Sequence, residues 1–239
     1  MKKPLSGRKA LVTGGTRGIG RAIAERLRDA GAKVTVTGTR PGGKAPRGCA
    51  YAVADFGDEP ATEAFAAWAA AQGFAILVNN AGINKPEPFA RIAVDDFDRI
   101  QRVNLRAPFL LCRALLPGMA RRRWGRVVNV TSIFGVVSRE GRGAYSASKF
   151  GLDGLTAALA AEAARGGVLV NSLAPGFVDT DLTRRVLGTA GIKELVSRIP
   201  IGRLAKPAEI AALALWLCGP ENSYASGQTF IIDGGFTRV

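Results

Sequence analysis

Ala10-Leu11-Val12-Thr13-Gly14-Gly15-Thr16-Arg17-Gly18-Ile19-Gly20 runs from an apolar strand through a glycine turn into a helix. Gly14 permits the tight turn, Gly18 lets the backbone come close to an anion such as a pyrophosphate, and Gly20 allows close helix packing. The first helical turn, with Thr16, Arg17 and Ile19, then offers that anion free N–H groups and the positive end of the helix dipole. The same spelling can also make a tight strand–helix turn that binds nothing, so the surroundings decide.

Outward from that turn, runs rich in Val, Ile and Leu alternate with Ala-rich stretches along the chain. The pattern predicts strands at Lys9–Thr13, Lys33–Thr37, Tyr51–Ala54, Ala75–Asn79, Arg126–Thr131, Val168–Leu173 and Thr229–Ile232. It predicts helices at Ile19–Ala30, Glu59–Ala71, Val94–Arg122, Tyr145–Ala164, Ile192–Ile199 and Pro207–Leu217. Near-continuous apolar strands are buried on both faces, which calls for a parallel sheet with helices on each side. The expected fold is a doubly wound, Rossmann-type α/β fold of about seven strands. No linker-like or low-complexity stretch divides it, so residues 1–239 read as one domain. Gly31 reads as the cap of the first helix and Pro207 as the first turn of the last. Pro108 and Pro117 should kink or end the Val94–Arg122 helix and leave its last turn irregular.

The second strand is followed by Thr37-Gly38-Thr39-Arg40, where an NAD-binding chain usually carries an acid for the ribose hydroxyls. No acid stands there; Arg40 does, and Arg17 lies in the first loop. Two guanidiniums suit a 2′-phosphate, so NADP is preferred to NAD. The next ten residues, Pro41 to Ala50, hold two prolines and three glycines and oppose a helix in this crossover. Lys44 and Arg47 add positive charge to that loop.

Composition narrows the chemistry. The chain has 239 residues, 47% of them hydrophobic, and a mean hydropathy of +0.12, as expected of a globular protein with a sizeable core. No apolar run of about 18 residues predicts a membrane span, and the basic start followed by a strand and turn is not a signal peptide; a cytoplasmic protein is expected. There is no histidine, which removes Ser-His-Asp catalysis and histidine metal ligation together. Cys49, Cys112 and Cys218 are scattered in apolar stretches and read as packing residues, so no metal site is expected. The net charge is +14, but the bases are dispersed apart from Arg121-Arg122-Arg123-Trp124-Gly125-Arg126. Without a helix-turn-helix, zinc or RNA-binding signature, nucleic acid is not the expected partner; phosphorylated cofactors and acidic acyl carriers are.

Proton transfer must then use Tyr, Lys, Cys or a carboxylate. Ala144-Tyr145-Ser146-Ala147-Ser148-Lys149 places a phenol and an ammonium four apart, on one helix face, thirteen residues after Ser132. The ammonium is expected to lower the phenol's pKa toward neutrality.

Taken in order, these motifs resemble the short-chain dehydrogenase/reductase family over essentially the whole chain. They are Thr13–Gly20, Asn79-Asn80-Ala81-Gly82, Val103-Asn104-Leu105, Ser132, Tyr145-x-x-x-Lys149, Pro175-Gly176-Phe177-Val178-Asp179-Thr180 and Gly227-Gln228-Thr229 with Asp233-Gly234-Gly235. The chain looks most like the bacterial 3-oxoacyl-carrier-protein reductases within that family. The resemblance implies that Tyr145 gives a proton to a carbonyl oxygen as hydride arrives from NADPH. It implies that Ser132 stabilises that oxygen, that Lys149 lowers the tyrosine's pKa and binds the nicotinamide ribose, and that Asn104 interrupts its helix and holds a water leading to Lys149. It places Asp55 and Phe56 beside the adenine and Asn80, Ala81 and Gly82 near its ribose. Pro175, Gly176, Val178 and Thr180 then fall at the carboxamide, and Thr39 and Arg40 at the adenosine phosphate. Phe134, Arg139 and Arg142 are the expected substrate contacts, and residues 181–200 a mobile lid. Arg123, with Arg121, Arg122, Arg126 and Arg165 nearby, matches an arginine that the carrier-protein reductases offer to their acidic partner. A homotetramer is expected. Alternative substrates are a sugar, polyol, steroid or other secondary alcohol, and a third reading is a non-catalytic cofactor-sensing or nucleic-acid-binding protein on the same fold, against which Ser132, Tyr145 and Lys149 speak.

Overall fold

The computed structural model describes residues 3–239. Seven strands form one parallel sheet: β1 (Lys9–Val12), β2 (Lys33–Gly38), β3 (Ala50–Val53), β4 (Ile76–Asn79), β5 (Gly125–Val130), β6 (Val168–Pro175) and β7 (Thr229–Ile232). Their order is β3-β2-β1-β4-β5-β6-β7, so the crossover direction reverses between β1 and β4. In open sheets of this kind ligands bind at that switch point, beyond the carboxyl ends of the strands. Central β4 and β5 are buried at every position, whereas edge strand β3 is half exposed.

The helices are α1 (Gly18–Asp29), α2 (Glu59–Gln72), α3 (Val94–Gln101), α4 (Ala107–Arg121), α5 (Gly143–Ala163), α6 (Asp181–Ser197) and α7 (Pro207–Cys218). Ile23, Ala24 and Leu27 of α1 and Ile210, Ala211 and Ala214 of α7 share one core with Val12, Val34 and Val36. On the other face Phe65 and Ala69 of α2, Leu111 and Leu115 of α4 and Ala160 of α5 pack on Leu77, Val127 and Val170. Gly31 takes φ 100° just after α1, and Glu209 accepts the Lys206 N–H at 2.7 Å to cap α7.

Residues 40–49 form no helix. Ala45, Cys49 and Tyr51 instead lie on the sheet face where a crossover helix would sit, and the Tyr51 hydroxyl donates to the Arg40 carbonyl at 2.7 Å.

The long Val94–Arg122 helix expected from sequence is corrected in two respects. Its break is a π-turn at Arg102–Arg106, where the Ala107 N–H reaches back to the Arg102 carbonyl. Pro108 follows immediately; it has no N–H for the Asn104 carbonyl, and the widened turn accommodates the missing bond. Pro117, by contrast, sits inside α4, which stays helical to Arg121 because Leu115 and Met119 anchor both sides of it in the core. Residues 181–197 are two helical pieces joined at Gly188, whose φ of 62° and ψ of 179° break the helix.

Candidate active site

Thr13 is the hub that holds the glycine turn. Its hydroxyl accepts the backbone N–H groups of Asn80 and Ala81, each at 2.9 Å, tying the loop after β4 to the end of β1. The Asn80 amide in turn donates to the carbonyls of Thr13 at 2.9 Å and Gly14 at 3.1 Å. Gly14, at φ 62°, donates its N–H to the Thr37 hydroxyl at 3.0 Å. A methyl group on Gly14 would stand 3.1 Å from the Ala81 Cα, and one on Gly20 would collide with the Asn80 amide and the Gly14 carbonyl. The backbones thus approach as closely as glycine allows, and α1 opens with no side chain capping its first N–H groups.

Above them lies a cleft of about 660 Å³. The glycine turn from Thr16 to Gly20 forms its floor, with Gly38, Thr39 and Arg40 at one end and Asn80 to Ile83 at the other. Asp55 and Phe56 line its side, and Thr180, the N-cap of α6, closes over Gly18. Arg17, Arg40 and Lys44 stand at the mouth, and the Thr37–Arg40 stretch brings no carboxylate there. This cradle fits a dinucleotide: free N–H groups face a pyrophosphate, and cations gather where an adenosine phosphate would lie. Thr37, Tyr51, Arg99 and Val103 also line the cleft. Tyr51 and Arg99 carry no motif of their own; only the fold reveals them.

The reacting groups stand past β5. Ser132 caps the short turn Ile133–Gly135, its hydroxyl accepting the Phe134 N–H at 3.2 Å. Gly135 lets α5 come close, since a Cβ there would lie 3.0 Å from the Lys149 carbonyl oxygen. Tyr145 and Lys149 follow on successive turns of α5, the ammonium 5.6 Å from the phenol ring centre. Asn104, fully buried in the π-turn, clamps Ile83 by accepting its N–H and donating to its carbonyl, both at 2.9 Å. It also donates to the Ser148 hydroxyl at 3.0 Å, which donates to the Tyr145 carbonyl at 2.7 Å. One buried amide therefore links the loop after β4 to the first turn of α5.

Burial dominates both ionisations. Lys149 is 3% exposed, and desolvation pushes its pKa down to about 8. Its ammonium donates to the Val130 carbonyl at 2.9 Å. Burial raises the Tyr145 phenol above its usual value, while the Ser132 hydroxyl and the Arg142 charge pull it back down. The acidification of Tyr145 expected from Lys149 is opposed by burial; the Ser132 hydroxyl and the Arg142 charge work the other way, and the Lys149 ammonium stands 5.6 Å from the phenol ring while donating to the Val130 carbonyl.

The other expected residues are distributed around this centre. Arg142 and Arg139 flank the Phe134 ring, with guanidinium carbons 5.2 and 5.8 Å from its centre. Pro175 ends β6, Gly176 packs on Asp233, and buried Val178 bridges to Ala205. An aromatic row runs from Tyr145 through Phe134 and Phe177 to Phe236, with centres 6.5, 6.1 and 5.1 Å apart. It leads to a second cleft, about 670 Å³, between Val137, the end of α6 and the last residues. The arginine cluster lies elsewhere: Arg121 ends α4 and Arg123 precedes β5, with Arg123 donating to the Arg165 carbonyl at 3.4 Å. A six-residue strand spans roughly 20 Å, so these arginines stand at the opposite edge of the sheet from Ser132. Among the described residues no helix is long and apolar enough to cross a membrane, and no acidic or cysteine cluster could hold a metal ion. Cys112 and Cys218 are buried, their thiols pushed up to about 12 by desolvation.

A family model described as Enoyl-(Acyl carrier protein) reductase matches residues 14–237. The chain is 39% identical to the 3-oxoacyl-[acyl-carrier-protein] reductase FabG of Aquifex aeolicus, covering 98% of this chain and 99% of that protein. It superposes with a TM-score of 0.93 on a putative NAD(P)-dependent gluconate 5-dehydrogenase from Beutenbergia cavernae with bound NADP, 35% identical and covering 100% of both chains. A 3-oxoacyl (acyl-carrier-protein) reductase from Agrobacterium tumefaciens C58 with NADP bound gives a TM-score of 0.90 at 33% identity, over 98% of this chain and 95% of that one. A glycine turn at the switch point, a Ser–Tyr–Lys set on the neighbouring strand and helix, and relatives matched from end to end agree: the chain belongs to the short-chain dehydrogenase/reductase family.

Proposed function

We propose that the protein reduces a ketone to a secondary alcohol with NADPH, and that its substrates are 3-oxoacyl thioesters of an acyl carrier protein or coenzyme A. The observation that carries this reading is the Tyr145 phenol beside the Ser132 hydroxyl, with Lys149 on the next turn packed against Gly82 in the wall of a dinucleotide cleft that Arg17, Arg40 and Lys44 also line. NADPH, when bound, supplies the hydride. Arg17 and Arg40, with Lys44, hold its adenosine phosphate, and the N–H groups opening α1 face its pyrophosphate.

The phenol is protonated at neutral pH, and Tyr145 donates its proton to the carbonyl oxygen as negative charge develops there, helped by the Ser132 hydroxyl and the Arg142 charge, which favour its ionised form. Ser132 donates a hydrogen bond to the same oxygen. Lys149, near pH 8, exchanges protons readily and restores the phenol. Asn104 keeps the loop after β4 and the start of α5 in register. The aromatic row from Phe134 to Phe236 offers the acyl chain an apolar wall toward the outer cleft, and residues 181–200, hinged at Gly188, close over it. Sequence likeness to the FabG reductases supports the thioester.

The cytoplasm suits a chain whose three cysteines are free. A homotetramer is supported by Phe97, Phe109 and Phe150, which stand 38–46% exposed on α3, α4 and α5.

The test is NADPH oxidation with acetoacetyl-CoA, a longer 3-oxoacyl carrier and simple ketones, repeated with NADH. Thioesters reduced faster with NADPH support the proposal, and Tyr145→Phe should lower kcat about 10³-fold. Undiminished turnover in that variant, or no reduction of any thioester, overturns it.

A further inference from the structure

Arg142 is 9% exposed and yet has no partner. Among the described residues no carboxylate pairs with it, and the charged groups that act on it are Arg139, which repels it, and the Tyr145 phenol. Its guanidinium donates no hydrogen bond there, yet none of its nitrogens is sealed off as the Nε atoms of Arg102 and Arg126 are. Its nitrogens therefore remain reachable although most of the residue is covered. It precedes Tyr145 by one turn and lies 5.2 Å from the Phe134 ring, which meets Tyr145 edge-on. Exposed Arg139 lies 5.8 Å from the same ring, so two guanidiniums flank the aromatic side chain that meets Tyr145, and the intervening Glu140, also exposed, forms no ion pair with either among the described residues.

A buried cation without an anion is costly, and a carboxylate meets a guanidinium fork through two parallel bonds. We propose that Arg142 reads a substrate anion, and that the protein has a second activity: NADPH-dependent reduction of free oxo acids whose carboxylate stands a few bonds from the ketone. This rests on the ketone-reductase reading above. The carbonyl carbon takes the hydride and its oxygen the Tyr145 proton, NADPH leaves as NADP⁺, and the carboxylate is unchanged. The neutral carbonyl of a thioester can accept from Arg142 in the same place, but less strongly than a carboxylate. One site thereby serves both classes.

The test compares 3-oxobutanoate with its methyl ester, which share the ketone and differ in charge. The ratio of their kcat/KM values with NADPH is measured in the parent enzyme and in Arg142→Gln, Arg142→Lys and Arg139→Gln. The acid-to-ester ratio is expected to fall at least about tenfold in Arg142→Gln. It should recover in part in Arg142→Lys and change less in Arg139→Gln. Independently of turnover, malonate should raise the Tm of the parent protein with NADP⁺ and leave that of Arg142→Gln unmoved. If both ketones are reduced but Arg142→Gln keeps the parent ratio, or malonate stabilises both proteins equally, the role of Arg142 is wrong. If neither ketone nor any thioester is reduced while malonate binding still needs Arg142, the reductase reading has failed instead, and the second activity with it.

Discussion

At the amino end of β5, Arg126 gives its two terminal nitrogens to the carbonyls of Gly125 and Asn222, each at 2.8 Å. Its guanidinium carbon and that of Arg8 lie 4.6 and 3.9 Å from the centre of the Trp124 ring. At the carboxyl end of the same strand, Lys149 has a single carbonyl and Arg142 has none. Both ends therefore bury cations without carboxylate partners, but they dispose of the charge differently. Arg126 turns both terminal nitrogens to backbone that must be tied down where β5 meets the loop at Asn222. Lys149 and Arg142 keep donors in reserve beside Tyr145. In a parallel sheet the loops past the carboxyl ends are where ligands bind, and there the fold tolerates charge that its own residues do not neutralise.

The sharpest way to break this contrast is Lys149→Met. Turnover should fall by about 10²–10³-fold, because proton exchange with Tyr145 is lost. Stability should move the other way. The lysine's folded pKa, about 8, lies below the ordinary lysine value of 10.5, so its charge destabilises the fold fully below pH 8. That penalty, about 3 kcal/mol, fades as pH rises from 8 to 10.5. Losing the bond to Val130 takes back about 1 kcal/mol, leaving the variant about 2 kcal/mol more stable at pH 7. Urea denaturation at pH 7 and pH 10 reads this directly. An advantage that does not shrink at high pH would mean Lys149 is not a strained, functional cation.

Arg126→Met tests the other end and should show the opposite sign. Relief of guanidinium desolvation is outweighed by two stranded carbonyls, and the stack on Trp124 is lost as well. We expect the folded state to lose about 2 kcal/mol while kcat stays within about twofold of the parent value. If Arg126→Met is as stable as the parent, the distinction between a structural and a functional buried cation collapses.

How much of this could be read before the fold was known follows the same division. The strands were legible because burial on both faces writes a continuous apolar run, and β1, β4 and β7 begin and end within one residue of the expected limits. Ser132, Tyr145 and Lys149 were legible because a helix repeat and fixed motif spacing bring them to one place. The continuity of α4 through Pro117 was not: proline chemistry argues for a break, and only the packing of Leu115 and Met119 overrules it. Nor was the burial of Arg142, expected from the resemblance as a substrate contact but not marked in Arg139-Glu140-Gly141-Arg142-Gly143 as the covered N-cap residue of α5. Thr13 looks like an ordinary strand terminus until the loop from β4 is seen to fold onto its hydroxyl. What escaped the sequence in each case is a contact between segments far apart in the chain.

The smallest effect concerns the exposed charges around the amino end. Arg121 and Arg123 make no ion pair among the described residues, and they stand roughly 20 Å from the reacting groups across the length of β5. Their influence on any substrate is through the field they create, and it acts on an acidic carrier far more than on a small thioester. Arg122 is less suitable for a test, since its guanidinium donates to the Phe74 carbonyl at 2.8 Å and its loss would disturb the fold. The double variant Arg121→Glu, Arg123→Glu should raise KM for a carrier-bound 3-oxoacyl substrate about three- to tenfold at low salt, leave kcat alone, and spare acetoacetyl-CoA. The gap between the two substrates should narrow above about 0.3 M salt as the charges are screened. Equal effects on both substrates would mean the arginines at this end act only on the fold, as Arg126 does, and that an acidic carrier meets the protein somewhere nearer Tyr145.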